Sequence, residues 1–423
     1  MSKSLRLFAA LGPSDLVGVA HNVAAGQRDV LSETSIAFSF QLFRYLQTRG
    51  IEAVTTSSFP EPARFRWGKL VVENVPRRWD GAPGLRHYLG HLAYAFRLAL
   101  KARRARANLA MLDSGTVPYF MMPIFRLFGV PVAINFHNVR WPAGAPPQGG
   151  KARLMRSLDS WGIRHAVKGA IGCSPECQRQ FIDSGATAPF HQWRAQFRAA
   201  GFDGRSSGRG DAFRILFVGR IEESKGVFDL VQTVSLLRQR LMRPLQVDIC
   251  GDGPARVRLA EAAGRARVDD IIQMHGRLDR PQILERYRNA DVLVVPSKTA
   301  IGEGMPMVCA EAALAGLAIV TSRVSSALDV LDGAILEAQP DDPASYADAL
   351  EALASDPELH LRLSNGGRVQ AAQFLDRAYS YPAAVDRLLA DLFPSWDPLA
   401  SYESLFDDDC PPSTRAGTPT AIA

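Results

Sequence analysis

The sequence lacks any run of eighteen uncharged apolar residues, so it offers no membrane-spanning helix. The N-terminal apolar run from Leu7 to Leu11 is too short for a secretory leader. Cysteine is scarce: Cys173, Cys177, Cys250, Cys309 and Cys410 make an odd five among 423 residues, none at Cys-x-x-Cys spacing. That usage argues against a disulfide scaffold and for a reduced, cytoplasmic setting. Cys173 and Cys177 could share a helix face and join His165 or His191 around a metal, but buried structural thiols are the expected reading. The sequence contains no phosphate-binding P-loop, no His-Glu-x-x-His and no internal repeat.

What is present is ordinary for a globular protein of more than one domain, with 47% hydrophobic and 22% charged residues. The formal charge is +6, and the segment after Phe393 is itself acidic, so the remaining body is more basic still. Such a balance favours diphosphates, polyanions or an anionic membrane.

Apolar runs and helical periodicity alternate along the chain, which predicts a doubly wound α/β fold. Leu5 to Leu11 reads as a strand followed by a loop to about Leu31. Ser32 can cap a helix with Ile36, Phe40, Phe43 and Leu46 on its apolar face, and Ile51 to Thr55 is the next strand. Residues 85–107 predict a helix with Tyr88, Leu92, Phe96 and Ala99 inward. Its basic end suits either a helix C-terminus or a membrane surface. Val117 to Phe128 reads as a helix, and Val130 to Phe136 as a strand delivering His137 and Asn138 to its carboxyl end, where open sheets bind ligands. Ala199 to Ala212, rich in Gly, Ser and charge, reads as a linker. A second alternating series begins at Arg214. These signals divide the chain into residues 1–198, a linker 199–212, residues 213–377, a helix 378–393 and a tail 394–423 that has no periodicity and is expected to be disordered.

The most informative stretch is Ala300-Ile301-Gly302-Glu303-Gly304-Met305-Pro306-Met307-Val308-Cys309-Ala310-Glu311, continuing to Gly316. Pro306 suits the first turn of a helix and Gly316 its stop. Glu303 would lie beyond the helix tip, and Glu311, five residues after Pro306, about 7.5 Å along its side. Free N–H groups at the tip attract phosphate. Two carboxylates flanking that phosphate could accept hydrogen bonds from hydroxyls on either side of it, the layout of a nucleotide sugar.

This stretch resembles the Glu-x7-Glu signature of retaining glycosyltransferases of family 4, which have the two-domain GT-B fold. Upstream, Gly219-Arg220-Ile221-Glu222-Glu223-Ser224-Lys225-Gly226 is similar to the family's Gly-Arg-x4-Lys-Gly, whose Arg and Lys hold the donor diphosphate. The likeness is strong over residues 213–393 and looser over 1–198. It implies catalytic roles for His137, Arg220, Lys225 and Glu303. It also implies donor or nucleotide contacts for Gly12, Gly219, Gly276, Arg277, Gly304, Met305, Pro306, Met307 and Glu311. In the family the last helix crosses back onto the first domain. The implied reaction moves a sugar from a nucleotide diphosphate sugar to a glycan or lipid-linked acceptor. It uses neither metal nor cofactor and does not involve nucleic acid, and peripheral contact with an anionic membrane is compatible with it. Exopolysaccharide or cell-envelope synthesis is the expected setting, partly from Phe136-His137-Asn138-Val139-Arg140-Trp141-Pro142. Val324-Ser325-Ser326-Ala327-Leu328-Asp329 departs from the family's Gly-Gly-x-x-Glu. An epimerase or phosphorylase of the same fold stays open, as does a non-catalytic nucleotide or polyanion binder.

Overall fold

The computed structural model describes residues 5–26, 34–79, 81, 83–202, 211–406 and 420–421. Ser32 and the center of the expected linker lie outside them, as does the acidic run from Asp407 to Asp409. The apolar runs form two sheets. The first contains β1 (Arg6–Ala10), β2 (Glu52–Ser57), β3 (Ala63–Trp67), β4 (Leu70–Asn74), β5 (Leu109–Asp113), β6 (Val132–Phe136), β7 (Val167–Gly172) and β8 (Phe190–Gln192). Their order is β3-β4-β2-β1-β5-β6-β7-β8, with Thr420–Ala421 antiparallel at the β3 edge. Apart from that edge and the β3–β4 hairpin, all neighbours are parallel. The second contains β9 (Phe213–Val218), β10 (Leu245–Cys250), β11 (Ile272–Gly276), β12 (Val292–Val295), β13 (Ala318–Thr321) and β14 (Ile335–Glu337), in the order β11-β10-β9-β12-β13-β14 and wholly parallel.

Strands such as β5, β6 and β12 are buried along their full length because helices cover both faces, which is why they are uniformly apolar. Order reverses beside β1 and beside β9, and each reversal opens a crevice at the strands' carboxyl ends. The helix Tyr381–Leu392, capped by Ser380, crosses back: Tyr381, Val385, Leu388 and Leu389 belong to the first sheet's apolar core. No helix among the described residues is long and apolar enough to cross a membrane.

Several local expectations change. The loop after β1 contains a helix, Leu16–Ala24, whose Asp15 accepts the Gly18 N–H and whose Leu16, Ala20 and Val23 are buried. The next helix is Phe38–Thr48, starting at Ala37 without a side-chain cap. Pro118 and Pro123 break the expected helix 117–128 into a 3₁₀ turn, Tyr119–Met121, and a short helix, Pro123–Leu127. The helix Leu85–Arg104 is rotated from the expected face. It buries His91, Tyr94, Ala95, Leu98, Ala99 and Ala102, so of the expected inward residues Ala99 is buried and Tyr88 packs on the core, while Leu92 and Phe96 are exposed with Leu85, Leu89 and Leu100. Both stripes satisfy helical spacing, and the one with small residues wins because it lets the helix approach the sheet closely.

The tail also departs from expectation, since residues 394–406 pack on the first core. Asp386 of the crossing helix is wholly buried and accepts from Tyr45 Oη (2.5 Å), Trp396 Nε1 (2.7 Å), Leu399 N (2.6 Å) and Tyr402 Oη (3.0 Å). Leu405 and Phe406 are buried beyond it. The segment has no helical period because it is held by this one carboxylate and by isolated apolar anchors.

Candidate active site

The two crevices face each other, and the loop before the helix Met307–Leu314 bridges them. Pro306 stands at the helix N-cap rather than inside the first turn. Gly304 is required by packing: a Cβ there would lie 2.6 Å from the His137 carbonyl oxygen and 2.7 Å from Cys173 Sγ. The donor-side loop thus rests directly on the carboxyl end of β6. Ser325 and Ser326 support it from below, through a bridge to Glu303 and a Ser326 N–H bond to the Gly304 carbonyl (3.2 Å). The departure from Gly-Gly-x-x-Glu therefore sits in the floor of this loop.

A cavity of about 390 Å³ at this junction is lined by His137, Gly219, Arg220, Lys225, Glu303, Gly304, Met305, Pro306 and Met307, so nine of the thirteen expected site residues converge. Arg277 and Glu311 line a neighbouring cavity of about 480 Å³ that shares Gly219, Arg220 and Met307 with the first. Gly12 lines a third, which shares His137 and Met307. Gly276 lines none of these three; its carbonyl accepts the Gly251 N–H (2.8 Å) and its turn presents Arg277.

Lys225 ends a 3₁₀ turn at Gly226, whose left-handed φ of 71° and approach to the Pro296 carbonyl leave no room for a side chain. The ammonium contacts Glu303 Oε1, and Ser297 Oγ donates to Glu303 Oε2 (2.8 Å). Burial holds the Lys225 pKa below its ordinary range; the Glu222 carboxylate opposes this and Arg220 reinforces it. The Arg220 side chain is 74% exposed and turned to Glu222, an available cation at the mouth.

Glu311, eight residues after Glu303, has a different environment. It is buried, and both oxygens accept hydroxyls, from Thr34 of the first domain and Tyr287 of the second. Burial raises its pKa, and those two donors oppose the shift only in part.

On the first-domain side, His137 Nε2 lies 3.1 Å from Asp113 Oδ2. Asn135 Nδ2 stands 2.8 Å from both Asp113 Oδ1 and His137 Nε2, and Trp193 Nε1 donates to Asn135 Oδ1 (2.9 Å). Burial alone would lower the His137 pKa; Asp113 outweighs it and the net shift is upward. Phe38 and Trp193 wall the ring at centroid distances of 5.3 and 5.4 Å. Cys173 and Cys177 face each other at 3.9 Å, and the hydrogen bond between them, against burial, lowers the Cys173 thiol to about 7. His165 bonds to the Trp161 carbonyl and His191 to Asp391, and among the described residues no cluster of His, Cys, Asp or Glu is arranged to hold a metal ion with the thiols.

Asp113, Asn135, Trp193, Ser297, Tyr287 and Thr34 join the site without being among the residues expected there. Asp113 and Asn135 carried a signal: each is a polar residue at or near the end of an otherwise apolar strand, and their register, Asp113 opposite Asn135, brings them together. Ser297 stands six residues before Glu303 without a pattern to mark it, and Trp193, Tyr287 and Thr34 come from other elements.

Residues 203–370 match the family described as glycosyl transferases, group 1. The chain is 27% identical over 343 residues to the alpha-D-kanosaminyltransferase of Streptomyces kanamyceticus, covering 76% of this chain and 86% of that protein. It is 32% identical over 200 residues to the D-inositol 3-phosphate glycosyltransferase of Pseudarthrobacter chlorophenolicus, covering 43% of this chain and 46% of the relative. Its fold is similar to that of a UDP-forming α,α-trehalose-phosphate synthase from Burkholderia vietnamiensis (TM-score 0.67, 15% identity, 92% and 99% of the two chains). Residues 203–370 thus resemble the group 1 glycosyl transferases, in a chain whose two parallel α/β sheets give it the two-domain GT-B fold.

Proposed function

We propose that the chain transfers a sugar from a nucleotide diphosphate donor to an acceptor hydroxyl, with retention of configuration, as in family 4. The observation that carries this reading is the Lys225–Glu303 contact inside a cavity that also holds His137 from the opposite domain. The bond between the anomeric carbon and the diphosphate oxygen breaks, and the acceptor oxygen bonds to that carbon on the same face. The acceptor's proton passes to the leaving diphosphate. Lys225 and Arg220 neutralise the charge that develops on the leaving group, work that needs no metal. Glu303, held by Lys225 and Ser297, accepts from donor sugar hydroxyls. Glu311 takes the ribose, whose hydroxyl replaces that of Thr34. His137, whose pKa Asp113 raises against the effect of burial, faces the transferred sugar. Closure of Gly304 onto β6 excludes water from the donor. That a protein of the same fold is UDP-forming supports a nucleotide donor. We place the reaction in exopolysaccharide or cell-envelope synthesis, on a glycan or lipid-linked acceptor, at the cytoplasmic face of a membrane touched by the basic helix Leu85–Arg104.

The test is a panel of nucleotide sugars with glycan and lipid-linked acceptors, reading released nucleotide and the anomeric configuration of the product by NMR. Retained configuration is expected. Inversion overturns the mechanism, and free sugar phosphate or an epimerised donor as the main product overturns the transferase.

A further inference from the structure

Two buried thiols that take no part in sugar transfer stand beneath the donor-side loop. Cys173 follows β7 and lines the cavity that holds Lys225 and Glu303, whereas Cys177, in the helix Pro175–Asp183, lines no cavity of the site. Their sulfur atoms lie 3.9 Å apart. Ser174, the N-cap of that helix, donates through Oγ to Cys177 Sγ (3.3 Å), and Cys177 in turn donates to Cys173. That last bond, helped by the Met305 N–H and opposed by burial, draws the Cys173 thiol down to about 7; giving it, together with burial, pushes Cys177 up. Near neutral pH Cys173 therefore supplies a thiolate, the nucleophilic form, and Cys177 keeps its proton. Cys250 also lines a cavity of the site, but burial pushes its thiol up to about 12, and burial raises Cys309 as well.

Cys173 is also the seat of the loop. Its Sγ lies 3.1 Å from the His137 carbonyl oxygen, the Met305 N–H bonds to it, and a Cβ on Gly304 would come within 2.7 Å of it. The sulfur thus fills the space between the end of β6 and the residues that follow Glu303. To form a disulfide, the two sulfur atoms must close by about 1.9 Å from where they stand. Cys177 is held in the first turn of its helix, where its N–H bonds to Ser174 Oγ (3.3 Å), so Cys173 Sγ makes most of that move, away from Met305. The Met305 N–H then loses its acceptor and Gly304 its support, both within two residues of Glu303.

We propose that Cys173 and Cys177 are a peroxide-sensitive pair whose disulfide unseats the donor-side loop and slows transfer. The Cys173 thiolate attacks one oxygen of hydrogen peroxide: the S–O bond forms, the O–O bond breaks, and the departing hydroxide takes up the proton that Cys173 released and leaves as water. Cys177 sulfur then attacks the sulfenic sulfur of Cys173. The S–S bond forms, the S–O bond breaks, and the second hydroxide leaves as water with the Cys177 proton. Two thiols are oxidised and one peroxide is reduced. A dithiol reverses the reaction by exchange. The thiol chemistry stands on the pair alone, and its effect on catalysis rests on the transferase reading above.

The test treats the full, reduced chain with hydrogen peroxide and follows both the thiols and the transfer rate. Cleavage after Lys168 and Arg179 leaves both cysteines in one peptide, 169–179. Peroxide should make that peptide two hydrogens lighter and closed to alkylation, while Cys250 and Cys309, in the unfolded chain, stay open to it. Transfer should fall tenfold or more, and dithiothreitol should restore both the thiols and the rate. Reduced Cys177→Ser should match the wild-type rate. Peroxide should then leave a sulfenic acid on Cys173 that dimedone captures, and continued oxidation should make the loss irreversible. A peptide 169–179 that stays open to alkylation after peroxide has inactivated the chain would overturn the pair. A disulfide formed without loss of rate would overturn its link to the loop. Absence of transfer from the reduced wild type with every nucleotide sugar would remove the transferase reading and leave the peptide result to judge the pair by itself.

Discussion

The two halves of the cleft are built differently. In the second domain the charged groups come in sequence-local sets: Arg220 and Lys225 within one turn, Glu303 and Glu311 on one loop and helix. In the first domain, His137 depends on Asp113, Asn135, Trp193 and Phe38, supplied by the strands β5 and β6, the segment after β8, and the helix Phe38–Thr48. The difference teaches how the site divides its work. The second-domain half fixes charge with short-range turn geometry, whereas the first-domain half shapes an aromatic wall through tertiary packing. Glu303 and Glu311 repeat the contrast on a small scale: one is held by a cation, the other by two hydroxyls, one of them from the opposite domain.

The largest expected effect is in the second-domain half. Lys225→Ala should lower transfer about 10²- to 10³-fold, the scale of one lost transition-state contact, and weaken the nucleoside diphosphate as well. Steady-state rates beside calorimetry check it; an effect on rate alone would break the assignment of Lys225 to the diphosphate. Next comes the anchor of the first domain. Asp386→Ala strands Tyr45, Trp396, Leu399 and Tyr402 without their acceptor, and stability should fall by about 3 kcal/mol or more, with nucleotide affinity unchanged. Chemical denaturation measures it, and a change in affinity would show that the halves are not separable.

Glu311→Gln should have a smaller, two-sided effect. Nucleotide binding should weaken by about 1–3 kcal/mol as a charged hydrogen bond is lost. The unliganded protein should become more stable at neutral pH. Burial raises the Glu311 pKa above 4.5, so the folded state holds its proton longer than the unfolded chain does. Wild-type stability therefore declines as pH rises from 4.5 through the folded value, and the variant, with nothing to ionise, escapes that decline. Melting curves from pH 4 to pH 8 should coincide most closely at the acid end and separate above it.

Much of the second-domain half of the cleft is legible in the sequence, because Gly-Arg-x4-Lys-Gly and Glu-x7-Glu are each complete within a short stretch. The alternation of apolar strands and amphipathic helices likewise gave two doubly wound sheets. The first half was harder to read for identifiable reasons. The helix Leu85–Arg104 has two stripes at helical spacing, and only the packing of its small residues selects between them. Residues 394–406 have no period because they are tied to Asp386 by hydrogen bonds. Trp193 and Tyr287 reach the site across long sequence separations that no local pattern marks. Gly276, expected at the nucleotide, is seen in a turn, where its carbonyl accepts the Gly251 N–H.

Glu303→Gln addresses the central claim, that Glu303 meets the sugar while the nucleotide is held elsewhere in the same half. Calorimetric titration of the nucleoside diphosphate is set beside the transfer rate with its nucleotide sugar. The account predicts a rate lower by about 10²-fold or more with nucleotide affinity within twofold of wild type. An affinity loss matching the rate loss, or no change in rate, would contradict it.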